Sequence, residues 1–155
     1  MMEFLSILFF AINMFTIFEG PVFSETAKKA KLLEITEEER KRTGDSSKNS
    51  AIDDFAKDGC VQLMMALCLT ALEATYLIVA IGYDPLKIPT LLAILFFISS
   101  IIASSLKKKV KNMSDSELAI EKAKAQSNKN VTFSSVTKAV IWGTYFGYMI
   151  YVLVF

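Results

Sequence analysis

The sequence predicts an all-α fold: a transmembrane bundle of four helices, with short cytoplasmic surface helices in two large loops. Three observations carry that expectation. Hydrophobic residues make up 53% of the 155-residue chain. They fall into blocks long enough to cross a hydrocarbon core of about 30 Å, which takes roughly 20 helical residues. The 17 basic and 16 acidic residues nearly cancel, but almost all of them lie between those blocks. Charge segregated in this way is the pattern of spans joined by solvated segments. A chain of this size has room for one domain, so 1–155 is expected to form a single integral-membrane domain.

The first span covers about 4–18, FLSILFFAINMFTIF, bracketed by Glu3 and Glu19 at its two interfaces. It reads as a retained anchor. A cleaved signal would carry Lys or Arg where Glu3 stands and would be followed by a small-x-small site. Gly20 and Pro21 then break the helix. In the loop over 20–59, Thr36 with Glu39 predicts a helix start that Gly44 ends, and Ser50 with Asp53 predicts a second start running into the next span.

The second span, 61–83, is the organising stretch, because its one charged residue is Glu73 near the middle. The turn Asp84-Pro85-Leu86-Lys87-Ile88-Pro89 joins it to the third span, 89–106, as a tight antiparallel hairpin, with Pro89 suited to the first helical turn. A second loop, 107–131, opens on Lys107, Lys108, Lys109 and Lys111, placed to touch anionic headgroups at about 1 kcal/mol per charge. Ser114 with Glu117 predicts a surface helix there, ending near Ser127. The fourth span is 133–155.

Both large loops are rich in Lys and Arg, whereas the hairpin turn holds Lys87 alone. The positive-inside rule then puts both loops in the cytoplasm and both termini outside, in a multi-pass protein of the cell (plasma) membrane. Small residues recur every fourth position in the fourth span, at Ser135, Ala139, Gly143 and Gly147, and in the second, at Ala66, Thr70 and Ala74. Such ladders let helices approach closely, within the chain or against a partner.

Polar groups inside the spans narrow the function. At about 1.5 Å per residue, Asn13, Cys68, Ser99 and Lys138 lie roughly 9–11 Å from the cytoplasmic side, and Glu73 about 18 Å. An acid at such depth faces protein, stays protonated or meets a partner. Thr144 and Tyr145 are the hydroxyls expected near its level, and Lys138 either snorkels to the interface or bonds Asn13 or the third-span serines. With no histidine in the chain, no metal or other cofactor is expected. Cys60 and Cys68, about 12 Å apart along one helix, cannot bridge each other there. The loop bases are interleaved with acids and lack aromatic partners, so nucleic acid is excluded as a partner.

In layout, with four spans, outside termini and the Asp84-Pro85 hairpin, the chain resembles the membrane-associated proteins of eicosanoid and glutathione metabolism. That resemblance implies a small four-span enzyme acting on lipophiles or glutathione. It departs from the family at the start of the second span, where AIDDFAKDGCVQLMMA lacks the family's Arg, Asn and Glu motif. The residues themselves show no nucleophile-base pair and no phosphate-binding glycine loop. The leading expectation is therefore a non-catalytic accessory subunit of a larger integral-membrane complex, such as an oxidoreductase or transporter, partnered by other membrane subunits and lipids. The alternative is a small ion- or proton-linked transporter or channel component using Glu73, with homo-oligomerisation needed to enclose a path.

Overall fold

A computed structural model of the chain describes residues 1–44, 50–106, 109–127 and 131–154, without the side chains at 50–54 and 56–58. The described residues are helical and contain no strand. The elements in order are α1 (Met2–Glu19), α2 (Ser24–Thr43), α3 (Ser50–Ala80), α4 (Ile88–Ser105), a 3₁₀ turn (Val110–Asn112), α5 (Asp115–Gln126) and α6 (Phe133–Val154). They fall into two compact units. One comprises 1–22, 68–106 and 130–155, the other 23–67 and 107–129.

Three helices are long and apolar enough to cross a membrane: Met2–Glu19, Gly59–Ala80 and Ile88–Ser105. α6 has the length but not the apolar character, because it carries Lys138, the hydroxyls of Ser134, Ser135, Thr137 and Thr144, two glycines and three tyrosines. Ala139, Gly143, Tyr145, Phe146 and Met149 are buried, whereas Ser134, Thr137, Lys138 and Thr144 are exposed.

The α1–α6 register follows from the glycines. A methyl group added at Gly143 would lie 3.0 Å from Met14 Cε and 3.9 Å from Asn13 Cβ, and one added at Gly147 would lie 3.4 Å from the Phe10 ring. As numbering rises on α6 it falls on α1, so the pair is antiparallel and Lys138 stands near the level of Glu19. The ladder Ala139, Gly143 and Gly147 is thus used inside the chain, and its lack of side-chain bulk is what brings the two backbones together.

Phe9, Tyr76 and Phe146 form the centre of the core. Ring centroids lie 5.8 Å apart for Phe9 and Tyr76, 5.1 Å for Phe9 and Phe146, and 5.4 Å for Tyr76 and Phe146. The Tyr76 hydroxyl lies 2.6 Å from Ser6 Oγ, which also donates to the Met2 carbonyl at 3.0 Å.

The second span ends earlier than the sequence suggested. α3 stops at Ala80, and Gly82, Tyr83 and Asp84 donate their N–H groups back to the carbonyls of Val79 and Ala80 in tightened turns. The hairpin then closes around Asp84, which is 2% exposed. Its carboxylate accepts from Leu86 N at 3.0 Å, Thr90 N at 3.1 Å, Thr90 Oγ1 at 2.7 Å and the Tyr148 hydroxyl at 2.7 Å. Lys87, the residue before α4, caps nothing with its side chain and sits at φ 58°. Asp84 supplies the missing cap from three residues upstream, and its bonds on either side of Lys87 hold that left-handed conformation in place. Pro89 lies in the first turn of α4, as its position in the sequence predicts.

In the second unit the expected helix start at Thr36 is not a start. α2 begins twelve residues earlier, at Ser24, and the Thr36 hydroxyl bonds back to the Leu32 carbonyl within the helix. Gly44 does end it, at φ 74°, a left-handed position suited to glycine. α5 opens on the predicted capping box, with Ser114 N donating to Glu117 at 2.7 Å and Glu117 N to Ser114 Oγ at 3.4 Å. α2 and α5 pack around Ile35, Val110 and Leu118. Ion pairs flank that small core: Lys31 with Glu121, Lys122 with Glu39 at 2.6 Å, and Arg42 with Asp115 at 2.7 Å. α3 begins at Ser50 and runs unbroken through Gly59, as predicted.

Candidate functional site

Between α1, α3, α4 and α6, at the end of the bundle where α1 finishes and α6 begins, lies a cavity of about 340 Å³. α1 contributes Asn13 and Thr16, α3 contributes Thr70 and Glu73, α4 contributes Phe97, Ser100 and Ser104, and α6 contributes Ser135, Lys138 and Trp142. Helical spacing explains this lining. Thr70 and Glu73 are three apart, Ser100 and Ser104 four apart, and Ser135, Lys138 and Trp142 three and four apart, so each set shares one face of its helix.

Three intramembrane polar residues expected from the sequence, Glu73, Lys138 and Asn13, therefore face one chamber. They do not bond one another. Asn13 Nδ2 donates to the Phe9 carbonyl of its own helix at 2.8 Å. Glu73 is half-buried, and neither its carboxylate nor the Lys138 ammonium has a hydrogen bond or ion pair among the described residues. The hydroxyls of Ser100 and Ser104 are likewise uncommitted. The hydroxyls expected at the level of Glu73 are engaged elsewhere: Thr144 with the Val140 carbonyl at 2.8 Å, and Tyr145 near Thr90 Oγ1 at 3.2 Å. Asn13 is not level with Lys138 either, since it faces Gly143.

The deep end of the chamber is closed. Phe9, Tyr76 and Phe146 each stand about one helical turn beyond a lining residue, Asn13, Glu73 and Trp142 respectively, and all three shifts point to the same end of the bundle. Their exposures are 4%, 1% and 0%. The polar chamber thus abuts a sealed aromatic layer.

The remaining sequence-singled residues divide plainly. Ser135 opens α6, bonding Thr132 N at 3.0 Å while its own N–H reaches Thr132 Oγ1 at 3.2 Å, and it also lines the chamber. Ala74 is half-buried in the first unit, whereas Ala66 belongs to the second. Of the headgroup lysines, Lys109 and Lys111 are exposed, and Lys107 and Lys108 lie outside the described residues. Cys60 and Cys68 are free thiols. A larger groove of about 520 Å³ between α4 and α6, lined by Leu92, Phe96, Ile141 and Trp142, is apolar and carries no charged group.

Sequence reasoning missed Asp84. The Asp-Pro pair reads as a turn, and nothing local announces that the carboxylate will bind a tyrosine 64 residues away. Burial alone would raise its pKa, but the bonds from Thr90, Tyr148 and Leu86 outweigh that and hold it below the usual carboxylate range.

No protein-family model, no curated protein and no solved structure matches the chain. The likeness of layout noted above therefore rests on the sequence alone.

Proposed function

We propose that this chain is a four-crossing membrane protein that works as a small ion- or proton-linked transport component, with Glu73 as the linked carboxylate. The observation that carries the reading is that Glu73 opens, without a partner, onto a chamber lined by four helices. An ionisable side chain kept at such depth is costly, and an uncommitted one beside free hydroxyls is poised to exchange a proton or cation. The antiparallel register supports a fourth crossing. Residues 138–154 of α6 run beside nearly the whole of α1, so if α1 crosses, α6 crosses with it. Loop charge supports cytoplasmic loops and outside termini, which makes the chamber mouth face the cytoplasm.

The test is flux in vesicles reconstituted with the whole chain. Glu73→Gln preserves shape and removes the charge. It should leave folding and assembly intact and abolish ion- or proton-linked flux. Equal flux through both proteins sinks the proposal.

A second reading, a non-catalytic accessory subunit of a larger membrane complex, draws support from α4, where Ser99 and Ala103 make a small-residue pair on an exposed face. Gly143 and Gly147 do not serve that test, because they pack on α1. Ser99→Leu with Ala103→Leu should instead release the chain from co-purifying membrane subunits.

A further inference from the structure

From the chamber's charge arrangement we infer that its ligand is a small zwitterion, with a primary ammonium seated on Glu73 and an anionic oxygen group on Lys138. This rests on the Glu73 reading and names the substrate class of the same site. Glu73 and Lys138 are the chamber's two charged residues, opposite in sign and neither paired. They are also placed at different depths. Lys138 stands near the level of Glu19 at the mouth, whereas Glu73 lies one turn from the sealed aromatic layer.

The Lys138 ammonium lines the same cavity and disfavours a bare cation at Glu73. A bare anion held at Lys138 would leave the deep carboxylate without a partner. A molecule carrying both charges satisfies both ends, and its orientation is fixed with the ammonium inward. Ser100 and Ser104 offer free hydroxyls along the way, and the rings of Phe97 and Trp142 line the same cavity, where an aromatic face attracts a cationic group. The volume of about 340 Å³ is at the small end of ligand sites. Phosphoethanolamine has this chemistry, and it reaches such a chamber either as a free solute or as the headgroup of an aminophospholipid.

Trp142 is the single tryptophan of the chain and lines the chamber, so its fluorescence reports occupancy directly. The whole chain in phosphatidylglycerol nanodiscs is titrated with phosphoethanolamine, ethanolamine and inorganic phosphate. Equilibrium dialysis of radiolabelled phosphoethanolamine is run in parallel. A second set of nanodiscs contains phosphatidylethanolamine. The expected result is saturable binding of phosphoethanolamine at least tenfold tighter than of either fragment, or the same Trp142 change from the lipid. A response to the lipid alone assigns the headgroup as source, and a response to the free molecule assigns the solute.

Binding should be lost in Glu73→Gln and Lys138→Gln and kept in Lys138→Arg, with circular dichroism confirming the fold of each. Ethanolamine binding as tightly as phosphoethanolamine, unaffected by Lys138→Gln, overturns the zwitterion and leaves Glu73 as a simple cation site. Phosphate binding that ignores Glu73→Gln overturns it in favour of an anion. Silence from every probe overturns it too, while Glu73-dependent flux in the vesicle assay would show that the reading beneath it survives.

Discussion

Replacing Asp84 with alanine should be among the most damaging single changes in the first unit. Its carboxylate holds four donors, and two of them, the Thr90 N–H and hydroxyl, belong to a residue with 0% exposure. In Asp84→Ala the N–H is stranded where water does not reach, at about 1–3 kcal/mol, whereas the hydroxyl keeps the Tyr145 hydroxyl at 3.2 Å. The Leu86 N–H lies in an exposed turn and is rehydrated at little cost. The uncapped start of α4 and the left-handed Lys87 then have nothing to hold them. For a chain of this length, about 2–4 °C per kcal/mol translates the loss into a fall in Tm of about 2–12 °C. The assay is thermal unfolding of the detergent-solubilised chain followed by helical circular dichroism, with hydrogen exchange at the Thr90 amide as a local reporter. Tyr148→Phe removes a single donor and should cost less, and the double mutant should show strong coupling. An Asp84→Ala shift below about 2 °C, with the Thr90 amide still protected, would refute the reasoning.

Four further outcomes are expected. Gly147→Ala meets the Phe10 ring at ordinary contact distance and gains helix propensity of about 1 kcal/mol, so its Tm should be unchanged or higher; Gly143→Leu drives a large side chain into Met14 and Asn13 and should cost about 1–3 kcal/mol or more. Asp84 and Glu121 both have folded pKa values below the usual range, Glu121 chiefly through the Lys31 hydrogen bond, so the stability they contribute is fully present above the unfolded carboxylate pKa of about 4 and is lost as pH falls through the folded values; acid titration should show that loss below about pH 4 and none from these groups above pH 5. Leu118→Ala empties part of the Ile35, Val110 and Leu118 core and should cost the second unit about 2–5 kcal/mol, seen as lost amide protection in α2 and α5 while α1 and α6 keep theirs.

What could be read from the sequence follows the range of the interactions involved. Hydropathy located α1, α4 and the apolar part of α3, because an apolar run declares itself locally. Gly44, Pro89 and the Ser114–Glu117 box were also legible, being contacts within a few residues. α2 was not. Its sequence is charged throughout, and partners some 70 to 90 positions away, Asp115, Glu121 and Lys122, give it a neighbour to pair with. Glu73, Lys138 and Asn13 could each be picked out singly as polar groups in apolar surroundings. Depth counted from span ends set Asn13 level with Lys138 and suggested a bond between them, but it misjudged the α1–α6 register, which the two glycines set, and it left Glu73 apart from both. The Asp84 cluster escaped because its tyrosine arrives from another helix, 64 residues away.

The hairpin cluster also bears on how such a bundle can move. Asp84 and Thr90 fasten the α3–α4 corner to Tyr148 and Tyr145 on α6, and the aromatic layer lies just beneath that corner. Toward the other end the same helices are held apart by a hollow, with uncommitted side chains where a core would be. A change in the spacing of α4 and α6 would therefore meet least resistance at the cavity end, away from the hydrogen-bonded hairpin.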